Sequence, residues 1–265
     1  MKTCSVFVLL LLMGGKSFAY DSTLWANVLS TFVQEDGMVD YKHLKLEPQQ
    51  LDGFVAQLKT TGPTFKPALF PTRADRFAFW LNAYNALVLY GVKEAYPVTS
   101  VTEIEPNFGF FKKKAFQVDG QRLTLDQIEH EILRPVFQDP RIHAAINCAA
   151  KSCPKLNLIP FQASQLEHQL QSAMHNMIHS PKHVRLDLDQ KTLYLSQIFS
   201  WFQSDFTNWL RQNQPNMSAS LIEYIGLFVT EKQNKLLRGN DLKIVFQEYD
   251  WSLNDQTQLH DVEKE

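Results

Sequence analysis

Hydrophobic positions along this chain recur mostly at helical spacing, with two hairpin patterns between them. Leu24, Val28, Leu29 and Phe32 predict a helix over 23–34. Pro48, at a first helical turn, opens a second helix to about Lys59. Residues 75–95 are apolar nearly all round, the pattern of a helix buried on most sides, and Pro97 marks its end. Thr124 and Gln127 form a capping box for a helix that Pro135 stops. Residues 162–180 predict an amphipathic helix, and further helices follow over 197–211 and 217–232. Asp119-Gly120 turns a hairpin over 115–124, and Asp189-Gln190 turns another over 183–195. Residues 141–148 (RIHAAINC) alternate as a strand, and 242–249 predict a last strand. Helices and hairpins without a βαβ rhythm imply an α+β fold. The expectation is one domain over 20–254, with several helices around a small antiparallel sheet, and a polar tail over 255–265.

Residues 1–19 read differently. Lys2 supplies a positive start, an apolar run spans about Val6 to Met13, and Ser17-Phe18-Ala19 offers a small-residue cleavage site. This is the form of a secretory signal peptide, so the expectation is export, periplasmic or secreted, after cleavage near Ala19. The apolar run is far short of the roughly 20 residues that span a bilayer, and no later segment is long and apolar enough for an integral membrane segment. The net charge is −2 over 265 residues, which gives no global attraction to nucleic acid. Three cysteines are too few for a disulfide scaffold. Cleavage would remove Cys4 and leave Cys148 and Cys153, either paired in a small ring or holding a working thiol.

Candidate chemistry lies where polar residues interrupt apolar patterns. Asn82 and Asn85 sit three apart in the most hydrophobic helix. They either tie that helix to loop backbone, or one of them points into a cleft to orient a substrate or a histidine. Glu129 falls inside the stripe made by Leu125, Ile128, Ile132 and Leu133. It is either paired structurally with an arginine such as Arg76 or Arg141, or a catalytic carboxylate. On the expected strand, Ile142, Ala144, Ile146 and Cys148 face one way and His143 the other. Cys148 then reads as a small core residue. Cys153, after a short loop, can fold back toward His143 as a Cys/His pair. His168, His175 and His179 share one helix face opposite Leu166, Leu170, Ala173 and Met177, the arrangement of a solvated polar stripe. No Gly-rich phosphate loop, Gly-x-Ser-x-Gly elbow or Cys-x-x-Cys motif occurs, and no cofactor or metal is called for.

Several segments taken in order resemble the domain of unknown function 547 family. They are Gly37 to Tyr41, Phe79 to Leu87, Leu125 to Arg134, Arg141-Ile142-His143, Asn147-Cys148, Ser152-Cys153-Pro154, Ile198 to Phe202 with Asp205-Phe206, and Tyr249 to Leu253. The resemblance implies a single α+β domain, often exported in bacteria, with no agreed substrate. It leaves room for a distant papain- or transglutaminase-like core, although helix 75–95 holds no cysteine. Two functions follow. The first is a hydrolase-like enzyme acting on an amide or peptide-like bond, with Cys153 as nucleophile, His143 as base, and Glu129 or Asn82 orienting. The alternative is a non-catalytic exported binding module with a Cys148–Cys153 disulfide. Whether the chain is an enzyme stays open, as do its small-molecule or peptide partner and its oligomeric state.

Overall fold

Helix α4 (Arg73–Ala95) is the spine of the fold. Its start is a full capping box, with Thr72 Oγ1 accepting from the Asp75 amide at 3.1 Å and Asp75 Oδ2 accepting from the Thr72 amide at 3.0 Å. From Phe77 to Val92 almost every side chain is buried, as the all-round apolar pattern predicts. Burying each large apolar side chain contributes roughly 1.5–3 kcal/mol, so this helix anchors the core by packing rather than by propensity. A computed structural model describes residues 21–259 of the chain, and the expected signal peptide lies outside the described residues.

Three helices precede the spine. They are α1 (Thr23–Phe32), α2 (Tyr41–Leu46) and α3 (Gln49–Lys59). Asp36 and Gly37 turn the chain between α1 and α2. Gly37 has φ +92°, and a Cβ there would lie 2.4 Å from Lys155 Cβ, so both backbone and space demand glycine. After the spine come α5 (Gly109–Lys112) and the first hairpin, β1 (Ala115–Val118) with β2 (Gln121–Thr124). Asp119 and Gly120 make its turn with positive φ, and the Asp119 carboxylate accepts from the Thr64 and Phe65 amides.

The next segment departs from expectation. Helix α6 (Leu125–Gln127) runs into a π-helical turn over Ile128–Leu133 and on into α7 (Arg134–Phe137). Pro135 does not stop it: the helical backbone runs on from the π-turn through Pro135 to Phe137. Residues 141–148 are not a strand. Ile142–Ala145 form one helical turn, α8, followed by an extended loop, and residues 142–147 are all buried. Their apparent alternation reflected no sheet face. The consequence for the site is direct: His143 and Cys148 do not lie on opposite sides of a sheet.

Helix α9 (Leu166–His179) leads to β3 (Val184–Asp187) and β4 (Thr192–Leu195), the second expected hairpin. Then follow α10 (Gln197–Trp201), α11 (Gln203–Asn213), α12 (Leu221–Gly226), α13 (Glu231–Gly239) and β5 (Lys243–Phe246). Strand β5 joins β4 in parallel, with Leu195 opposite Phe246, so the three-stranded sheet β3-β4-β5 is mixed rather than purely antiparallel. Two apolar clusters fill the single α+β domain. One surrounds α4, and the other lies between α9, the mixed sheet and α10–α13. No feature of this element order supports a papain- or transglutaminase-like core. Residues 249–255 then strap the surface, bridging Ala150 to Leu253 and Val39 to Asp255. Asp255, where the polar tail was expected to begin, is buried and accepts from the Tyr96 hydroxyl at 2.8 Å.

Candidate functional site

Where the strap crosses α10 and the π-turn, aromatic side chains enclose a cleft of about 470 Å³. Phe108 and Phe111 come from the α5 region, Trp201 and Phe202 from the end of α10, and Tyr249 and Trp251 from the strap. Tyr249 packs on Trp201 and Trp251 with ring centroids 4.8 and 4.6 Å apart, and Phe108 meets Trp251 edge-on at 4.9 Å. Trp201 is 47% exposed, a large apolar ring left in solvent. Isolated exposed hydrophobes need no explanation, but a contiguous aromatic wall around a concavity does.

Polar groups sit within this wall. Glu129 lines the cleft from the π-turn, a local geometry often found where function re-aims a side chain. The buried Tyr84 hydroxyl, on α4, donates to Glu129 Oε2 at 3.3 Å. Burial of the carboxyl pushes its pKa up to about 7, against the opposing pull of Arg134 and the Tyr84 hydrogen bond. Glu129 is therefore poised between charged and neutral forms. Neither Arg76 nor Arg141 pairs with it. Arg76 reaches the Phe70 carbonyl, and Arg141 forks onto Asp139 and Glu167.

His143 lines the same cleft, but its chemistry is committed elsewhere. Its Nε2 lies 2.8 Å from Asp205 Oδ2, and its ring stacks on Phe202 at 4.0 Å. Burial holds its pKa below the ordinary value despite the nearby carboxylate, so the neutral ring donates from Nε2. Arg134 forks onto Asp205 at 2.7 and 2.9 Å and lies over the Phe202 ring. Burial alone would raise the Asp205 pKa, but hydrogen bonds from His143 and Arg134 hold it well below the carboxylate range. Arg134 and Asp205 are thus an ion pair beside the cleft, hydrogen-bonded to His143 on one side and meeting His130 Nδ1 at 2.9 Å on the other.

Cys153 is 2% exposed and joined to Cys148 in a disulfide. It carries no free thiol, and His143 is engaged with Asp205. This overturns the expectation of a Cys153/His143 nucleophile and base, and with it the hydrolase-like reading. Asn82 is also not a cleft residue. It is buried, its Nδ2 donates to the Phe161 carbonyl, and its Oδ1 accepts from the Phe161 amide, both at 2.9 Å. Asn85 does the same work for the loop after α8, donating to Ala145 O and accepting from Asn147 N. Of the four candidate residues the structure brings Glu129 and His143 to one cleft, buries Cys153 behind it, and leaves Asn82 in the core.

The aromatic wall, Tyr84, Arg134 and Asp205 were not among the candidates. The segments Ile198 to Asp205 and Tyr249 to Leu253 carry the family resemblance, yet aromatic residues at such spacing normally read as core. A second, more polar depression of about 700 Å³ lies between α9 and the loop 154–161. His175 and His179 stack there at 3.9 Å, and His179 Nδ1 bonds the His175 carbonyl, so the pair turns on itself. Among the described residues no three His, Cys, Asp or Glu side chains are arranged to hold a metal ion, and no helix is long and apolar enough to cross a membrane.

An α+β domain with an aromatic cleft and a disulfide at its edge defines a class of architecture, not an activity. Residues 70–178 match the family described as "Protein of unknown function, DUF547". The matched span holds α4, the π-turn, α8 and the disulfide, but not Trp201, Asp205, Tyr249 or Trp251, so the resemblance is supported over less than half of the chain. Neither the curated proteins nor the solved structures contain a match to this sequence.

Proposed function

We propose that this protein is an exported, non-catalytic binding module whose aromatic cleft takes a small molecule or a peptide side chain. The observation that carries this reading is the cleft itself. Seven aromatic side chains, Tyr84 among them, wall about 470 Å³, with the Glu129 carboxyl as its polar anchor. Ligand sites are typically concave and mostly apolar, with a few placed polar groups. The disulfide suits the oxidising compartment to which the segment 1–19 would send the chain.

The test uses 8-anilinonaphthalene-1-sulfonate as a fluorescent apolar probe. Saturable one-site binding to the native protein is expected. Trp201→Ala should weaken it at least tenfold while the chain stays folded by circular dichroism, losing only about 1–2 kcal/mol from the ring contacts with Tyr249 and Trp251. Non-saturable binding, or binding indifferent to Trp201, would refute the assignment of the cleft.

A further inference from the structure

The disulfide has an environment that a simple staple does not need. Three donors converge on Cys153 Sγ: the Cys148 amide at 3.1 Å, the Ala150 amide at 3.3 Å and the Tyr249 hydroxyl at 3.4 Å. The Tyr249 oxygen also lies 3.2 Å from Cys148 Sγ. Neither sulfur of a disulfide carries a proton, so the hydroxyl is the donor. A neutral disulfide sulfur is a weak acceptor, whereas a thiolate is a strong one. The donor set therefore fits the charged, released form of Cys153 better than the bonded form.

The two sulfurs are not equivalent toward solvent. Cys148 lines the aromatic cleft and is partly exposed, while Cys153 is 2% exposed and lies behind it. The loop between them is also held without the S–S bond. Asn147 Oδ1 accepts from the Ala149 amide, and Asn147 Nδ2 donates to the Pro154 carbonyl. The strap pairs from outside, with the Asn254 amide on Ala149 O, Lys151 N on Ser252 O and Ser152 N on Asp250 O. Opening the disulfide leaves this frame in place.

We propose that the Cys148–Cys153 disulfide is a reversible capture site for thiol ligands seated in the aromatic cleft. The ligand thiol loses its proton to solvent, and its thiolate attacks Cys148 Sγ. A bond forms between ligand sulfur and Cys148, and the Cys148–Cys153 bond breaks with its electron pair passing to Cys153. The Cys153 thiolate is received by the two amides and the Tyr249 hydroxyl. Return attack by Cys153 on Cys148 expels the ligand thiolate and restores the ring. One disulfide is exchanged for another, so no external oxidant or reductant enters. A stabilised leaving thiolate speeds such exchange. This capture rests on the cleft being the ligand site and names the ligand class as organic thiols.

The experiment treats the oxidised full chain with benzyl mercaptan, quenches with acid and maps adducts by mass. Benzyl methyl sulfide, which cannot exchange, reports occupancy of the cleft through tryptophan fluorescence. The expected result is one adduct, on Cys148, forming at least about tenfold faster than on the urea-unfolded chain and slowed several-fold in Tyr249→Phe. Cys153→Ser, loaded at Cys148 by exchange with dibenzyl disulfide, which releases one benzyl thiolate, has no thiol to expel the ligand and should hold the adduct while the wild type releases it. An adduct on Cys153, or equal rates in folded and unfolded chains, would overturn the capture. Fluorescence binding of the sulfide with no benzyl mercaptan adduct overturns the capture and leaves the cleft standing. Absence of both overturns the two together.

Discussion

Glu129→Gln isolates the cost of keeping a carboxyl in this cleft. In the unfolded chain the group titrates near its ordinary 4.5, and in the fold burial raises it to about 7. The folded state therefore holds the proton more tightly between those values. Stability from this group is fully present below pH 4.5 and is lost as pH rises through about 7. At about 1.4 kcal/mol per pKa unit, a rise of this size corresponds to about 3 kcal/mol. Glutamine keeps an acceptor for the Tyr84 hydroxyl and carries no charge, so it removes the penalty without opening a cavity. Urea unfolding of wild type and variant, run from pH 4 to pH 8, reads the effect. The two proteins should be within about 0.5 kcal/mol of each other at pH 4. By pH 8 the variant should be more stable by about 3 kcal/mol. A stability difference that stays constant across this range would refute the burial argument, since a packing effect has no reason to follow the titration.

Other consequences concern the frame around the cleft. Arg134→Ala removes the fork onto Asp205, and because both side chains are partly solvated the expected loss is about 1–3 kcal/mol in denaturant unfolding. The same change should raise the His143 pKa, read from the imidazole proton shift in NMR titration, because Arg134 now holds it down. Asn82→Ala strands the Phe161 amide and carbonyl in the core and should cost about 2–4 kcal/mol, whereas the exposed Asn208→Ala should cost less than about 0.5 kcal/mol. Replacing both Cys148 and Cys153 by serine removes a ring of sequence separation 5, worth only about 2 kcal/mol by loop entropy, so the variant should remain folded by circular dichroism.

Much of the fold was legible from local pattern. The all-round apolar run of α4, the two hairpins with their polar turns, and the Thr124–Gln127 capping box all formed where expected, because each signal depends on neighbours in the chain. Two features misled. RIHAAINC alternates in hydrophobicity, yet it is a helical turn and a loop, because burial on every side removes the polar face that makes alternation informative. Pro135 was read as a stop, but the helix passes through a π-turn and on through the proline to Phe137. The parallel pairing of β5 with β4 is likewise a tertiary event that neither strand announces.

The candidate site divides the same way. The sequence by itself marked Glu129 as a misplaced carboxylate, Asn82 and Asn85 as buried amides, and Cys148 with Cys153 as the pair whose state decides the chemistry. Each stands out because a polar or reactive group in an apolar stretch must be satisfied by something. What satisfies it lies far along the chain, and only the tertiary structure supplied it. Asp205 reaches His143 across 62 positions, and the Tyr249 hydroxyl reaches Cys153 across 96. Periodicity reports which face of an element is buried, but not which distant side chain meets it there. For that reason the surroundings of the disulfide, the His143–Asp205–Arg134 network and the aromatic cleft became visible only when the strap, α10 and the π-turn were brought together in space.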